Sequence, residues 1–139
     1  MLEIPATVLA EIHAHGEKCY PEEGAGFLLG TEGEVRRVLR LLPFSNSRED
    51  GARHNRYLIT PKDYLNGEME ADRQNLALLG VFHSHPDHPD LPSEFDREWA
   101  QPNFSYVITR IEKGKPIASR SWRLLEDRSA FVEEPIEIG

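Results

Sequence analysis

The sequence is short of cysteine, of basic charge and of long apolar runs. One cysteine, Cys19, in 139 residues rules out an intrachain disulfide and fits a reducing compartment. Sixteen Lys and Arg stand against 24 Asp and Glu, a formal net charge of −8, which argues against a protein held to nucleic acid by phosphate contacts. No apolar stretch approaches the ~18 residues of a membrane span. The opening MLEIPATVLAEIHAHGEK has neither the basic start nor the small-residue cleavage site of a signal peptide, so a cytoplasmic, non-membrane protein is expected. Repeats, low-complexity tracts and linkers are missing too, and the expectation is one domain over residues 1–139. A hydrophobic share of 39% and a charged share of 29% are those of a folded globular chain.

What is there reads as alternating helices and strands. PATVLAEIHAHGEKC carries Val8, Leu9, Ile12 and Cys19 at helical spacing, with Pro5 suited to a first turn. GAGFLLG and EVRRVLRLLPF read as strands, as does NRYLIT; PKDYLNGEMEADRQNL reads as a helix capped by Thr60. LALLGVFHSH is the most apolar run and predicts a central strand ending at its histidines. SEFDREWAQ reads as a short helix, and FSYVITRIE, PIASRSWRLL and AFVEEPIEI as three strands, the first two joined by a KGK turn. This order predicts an α/β or α+β domain around one mixed sheet.

The densest chemistry lies in HSHPDHPDLPSEFD, residues 83–96. Side chains alternate along a strand, so His83 and His85 point to one side and Ser84 to the other. Two imidazoles at a strand exit can share a metal ion, and catalytic zinc commonly takes three protein ligands with a water in the fourth position. Asp96 is the best third candidate, with Asp87, Asp90 and His88 as rivals on spacing. Taken singly the parts have plainer readings: His-x-His as surface histidines, Ser93-x-x-Asp96 as a helix capping box, the Pro and Asp residues as turns. A capping box and a metal ligand are compatible, since a capped helix start would fix Asp96 toward the ion.

His83-x-His85, seven residues, then Ser93-x-x-Asp96 resembles the signature of the JAMM (MPN-plus) zinc metalloproteases. Upstream, Glu23-Gly24-Ala25-Gly26-Phe27-Leu28-Leu29-Gly30 is similar to that family's Glu-x-x-Gly-x-x-x-Gly strand entry, with Ala25 where many relatives carry cysteine. The resemblance implies an MPN-type domain with cytidine-deaminase-like layering, and one zinc per chain on His83, His85 and Asp96. It implies Glu23 as the proton carrier between water and leaving amine, and Ser93 as a donor to the oxyanion. Small size and the tail FVEEPIEI look most like bacterial stand-alone forms associated with ubiquitin-like sulfur carriers, which act at a carrier's C-terminal Gly-Gly tail. With 139 residues, the chain is not expected to carry the insertions of linkage-specific eukaryotic deubiquitinases.

Other readings compete. A non-catalytic MPN scaffold would lack some of the ligands; a serine hydrolase on Ser84 or Ser93 lacks a Gly-x-Ser-x-Gly elbow; a histidine-triad hydrolase would need His88 one residue earlier. Cys19 with His13 and His15 falls short of a structural zinc set, and His54 is expected in a polar loop between Arg53 and Arg56. Arg36, Arg37 and Arg40 are expected on a solvated strand edge.

Overall fold

The computed structural model describes residues 1–44 and 59–139. The expected strand NRYLIT and the loop at His54 fall largely outside the described residues; Ile59 and Thr60 are not in a strand. In chain order the elements are β1 (Leu2–Ile4), α1 (Ala6–Cys19), β2 (Ala25–Thr31), β3 (Arg36–Pro43), α2 (Pro61–Arg73), β4 (Ala77–Pro86), α3 (Glu94–Trp99), β5 (Ser105–Glu112), β6 (Lys115–Leu124), β7 (Phe131–Glu134) and β8 (Ile136–Ile138). The fold is α+β, and among the described residues the strands form one mixed sheet in the order β7-β6-β5-β4-β2-β3-β1-β8. No helix among the described residues is long and apolar enough to cross a membrane.

The two outermost strands are also the last two in sequence, and only Pro135 separates them. Consecutive Cα atoms lie about 3.8 Å apart, so the sheet has to roll until its edges nearly meet. Pro135 suits the junction, because it has no N–H to offer a ladder, while its carbonyl accepts from Leu2 N at 3.0 Å. The tail AFVEEPIEI is therefore two strands rather than the one expected. β1, for which the sequence carries no local signal, is held between β3 and β8 in parallel register.

Helix α1 lies on one face of the sheet, where Val8 and Ile12 pack with Leu28, Leu79, Phe82 and Val107. On the other face α2 brings Ala71 against Phe27, Leu29 and Val81, with Tyr106 and Ala100 beside them. The sequence logic of α2 is visible at its start: Thr60 Oγ1 accepts from Asp63 N at 3.1 Å, the Asp63 carboxylate returns to Thr60 N at 2.8 Å, and Pro61 follows the cap. Successive residues of β4 alternate between the faces, so Val81 joins the α2 side and Phe82 the α1 side. That alternation carries His83 and His85 to the α2 and α3 side. Ser84 faces α1, which approaches so closely that a Cβ on Gly16 would stand 3.2 Å from Ser84 Cβ and 2.9 Å from Ile111 Cδ1.

One expectation is corrected here. Arg36 is buried, not solvated: its guanidinium donates to the Leu79 carbonyl, Ser105 Oγ and the Asn103 carbonyl, and its Nε pairs with Glu32 at 3.0 Å. Ser105 Oγ and Ser121 Oγ in turn donate to Glu134 Oε1, and Arg123 pairs with Glu134 Oε2 at 3.2 Å. The rolled sheet thus carries a polar plug of opposite charges, each satisfied by hydrogen bonds. Arg37 and Arg40 are exposed as expected, Arg37 pairing with Glu3 at 2.7 Å.

Candidate metal centre

Glu23, His83, His85 and Asp96 converge so that one ligand-capable atom from each lies within 4.8 Å of the others. Three separate elements supply them. His83 and His85 sit near the end of β4, fixed by pairing with β2 on one side (Ala25↔His83) and β5 on the other (His83↔Ile108, His85↔Arg110). Glu23 precedes β2. Its neighbour Gly24 is clamped to β4 in both directions, donating from N to Ser84 Oγ at 2.8 Å and accepting from Ser84 N at 2.9 Å. A side chain at Gly24 would collide with Cys19 Sγ and the His15 ring, each at 2.9 Å from the added Cβ, so this close approach requires glycine. Asp96 is the third residue of α3, locked by a capping box: Ser93 Oγ accepts from Asp96 N at 3.1 Å and Asp96 Oδ2 accepts from Ser93 N at 2.8 Å.

The donor set fits a zinc-like ion. His85 Nδ1 lies 2.7 Å from the Pro89 carbonyl; a carbonyl only accepts, so Nδ1 carries the proton and Nε2 turns its lone pair inward. That Nε2 stands 3.3 Å from Asp96 Oδ2, and His83 Nε2 stands 3.8 Å from Asp96 Oδ1. Bonds of about 2.0–2.2 Å to a tetrahedral zinc place its ligands roughly 3.4 Å apart, close to both spacings. A lone pair and a carboxylate held this close are drawn together by a cation between them. Imidazole and carboxylate ligands suit zinc.

Electrostatics follow from burial. The Glu23 side chain is only 3% exposed, and burial pushes its carboxyl up to about 9, with His85 opposing and Asp96 adding to the shift. Burial would raise Asp96 as well, but His83, the His85 contacts and the Ser93 N–H outweigh it and hold the carboxyl at about 2. Burial also lowers His83, against the pull of Asp96. A cleft of about 250 Å3 opens onto the cluster, lined by Glu23, His85, His88, Pro89, Leu91, Ser93 and Asp96.

The rival ligands are placed elsewhere. Asp87 accepts from Tyr20 Oη at 2.6 Å and Lys113 N at 2.8 Å. Asp90 faces Arg120 Nε at 3.5 Å, while its carbonyl accepts from Trp122 Nε1. They pin the loop that carries Pro89, and hence His85. His88 lines the cleft but stands outside the four-residue cluster. Ser84 is buried on the opposite face of β4, where its hydroxyl is engaged by Gly24, so it is a clamp rather than a nucleophile. Sequence reasoning missed this role; the signal was its place between two residues of one face.

This fold and this cluster define a metallohydrolase of JAMM type. Residues 5–125 match the family described as prokaryotic homologs of the JAB domain. The chain is 34% identical over 108 residues, 78% of its length and 69% of the relative's, to a probable TtuB-protein conjugate cleaving protease of Thermus thermophilus. It is 25% identical over 139 residues, 99% of its length and 91% of the relative's, to the CysO-cysteine peptidase of Mycobacterium tuberculosis. A solution structure of a protein from Salinibacter ruber superposes with a TM-score of 0.77 at 42% identity, covering 99% of this chain and 91% of that one. The chain belongs to the prokaryotic JAB-domain family, and is a hydrolase of peptide or isopeptide bonds.

Proposed function

We propose that the protein is a zinc-dependent peptidase or isopeptidase that cuts at the C-terminal Gly-Gly tail of a ubiquitin-like sulfur carrier. The observation that carries this reading is the buried convergence of Glu23, His83, His85 and Asp96 on an open cleft. His83, His85 and Asp96 would hold one zinc ion, which when bound polarises a carbonyl and makes a water acidic enough to attack near neutral pH. Glu23, beside the ligands but carrying its own carboxyl into the cleft, takes a proton from the attacking water. Water oxygen bonds to the carbonyl carbon, the carbon–nitrogen bond breaks, and Glu23 delivers the proton to the departing amine. Ser93 Oγ accepts from Asp96 N, which leaves its hydroxyl proton free to be donated to the oxygen that gains charge in the transition state.

The relatives named as conjugate-cleaving protease and CysO-cysteine peptidase support a protein substrate of this class. A Gly-Gly tail is extended and without side chains, the form of chain that can pair along an exposed strand edge. The test is incubation with candidate carriers extended past the tail, read by mass spectrometry. Cleavage directly after the last glycine is expected, with a lower rate when that glycine is made bulky. Equal rates for both carriers would remove the tail assignment. The competing scaffold reading requires a defective ligand set, and a metal-replete protein without bound zinc would favour it.

A further inference from the structure

Helix α3 poses a mechanical problem. It has six residues, far short of the length at which a helix is stable by itself, and of these only Asp96 is buried. Phe95 adds a half-buried ring beside Ile59, Tyr64 and Tyr106, and the two ends of the helix are each held by hydrogen bonds. The N-terminal end is held by the Ser93–Asp96 capping box. The C-terminal end is held from another part of the chain: the guanidinium of Arg128, in the turn between β6 and β7, donates to the carbonyls of Ala100 at 2.8 Å, Arg97 at 3.0 Å and Glu98 at 3.1 Å. In return Arg97 donates to the Ser129 carbonyl at 3.1 Å. Arg128 occupies the left-handed region, with φ at +63°, a conformation costly for a residue with a β-carbon. The turn holds it there through Arg128 N to the Leu125 carbonyl at 2.8 Å and Leu125 N to the Ala130 carbonyl at 3.0 Å.

We propose that Arg128 is a positioning residue for the metal centre, setting the seat of α3 and through it the carboxylate of Asp96. A planar five-donor fork can bind three carbonyls at once, and a cation is favoured where helix carbonyls are left unpaired. Arg128 lies beyond the 5–125 span matched by the family, in the hairpin between β6 and β7. The inference rests on Asp96 being a ligand, as proposed above.

The test uses the full chain and reads metal rather than turnover. Arg128→Gly removes the fork while suiting the left-handed backbone; Arg128→Lys keeps the charge but reaches fewer carbonyls. Zinc affinity is measured by chelator competition, and site geometry by the visible absorption of the Co2+-loaded protein, with Asp96→Ala as reference and thermal melts of the metal-free proteins as a folding check. Expected is a rise in Kd for zinc of about tenfold or more in Arg128→Gly, an altered Co2+ spectrum, and partial recovery in Arg128→Lys. Wild-type affinity and spectrum in both Arg128 variants, with affinity lost in Asp96→Ala, overturn the positioning role and leave the metal centre standing. Should Arg128→Gly fail to fold, Arg128→Lys decides: wild-type metal behaviour there overturns the proposal, and weakened binding in a folded protein supports it. A wild-type protein that binds neither ion overturns the metal centre and this inference with it.

Discussion

Glu22 and Glu23 are adjacent and chemically alike, yet only Glu23 reaches the cluster, with its Oε1 3.1 Å from His83 Nδ1. Glu23→Gln keeps the shape and removes the proton acceptor, so zinc is expected to stay bound while turnover falls by roughly a hundredfold or more. Glu22→Gln should stay near wild type. Peptide-bond cleavage at matched zinc occupancy checks both, and normal activity in Glu23→Gln would reassign the base. The same carboxyl makes the metal-free protein sensitive to alkali. Its value is raised from 4.5 to about 9 on folding, so between those limits the folded chain binds more protons than the unfolded one, and stability falls as pH rises. His13, His15 and His83, lowered from 6.5 by burial, act in the opposite direction but only below that value. From about pH 6.5 to 9 the melting temperature of stripped protein should therefore drop. Metal loading or Glu23→Gln should flatten the slope, because a nearby cation or a neutral amide removes the cost of a buried negative charge.

At the scale of elements, the parts legible in the sequence are those whose cause is local. α2 announces itself through Thr60, Pro61 and Asp63, and α3 through Ser93 and Asp96, because a capping box lies within four residues. β4 is visible as an apolar run, and the His83, His85, Asp96 constellation as a spacing. That Ser84 faces away from the histidines was legible; that it clamps Gly24, 60 positions away, was not. That clamp gives a prediction. Ser84→Ala leaves Gly24 N without its acceptor but spares the ladders that fix His83 and His85. Turnover is expected to fall about tenfold, the scale of one net hydrogen bond, with zinc affinity unchanged. A loss of zinc in step with activity would show that Ser84 supports the ligands instead of Glu23.

For the whole molecule, what escaped the sequence is how remote segments meet. RRVLR carries three arginines in five residues, and nothing nearby reveals that Arg36 turns inward to Leu79, Asn103 and Ser105. Pro135 was visible, but that β7 and β8 take partners at opposite ends of the sheet is a property of the rolled fold. The plug around Glu134 should be costly to break. Glu134→Gln removes the counter-charge of Arg123 and the carboxylate that accepts from Ser105 and Ser121, while Arg36 keeps Glu32, at a cost of about 3 kcal/mol. Calorimetry should show the thermal midpoint lowered by roughly ten degrees. An unchanged midpoint would mean that the seam is held by its backbone ladders alone.

The junction at Pro135 also sets a timetable. β1 is the first of the described elements in chain order and β8 the last, yet the two pair. The site residues from Glu23 to Asp96 are all synthesised earlier than the hairpin that supports α3 from its far end. A growing chain therefore presents β1 and β6 as open ladders until β7 and β8 emerge, the state in which strand edges recruit neighbouring chains. β7 and β8, joined at one proline, then cover both ladders together and leave two short strands as the edges of the sheet.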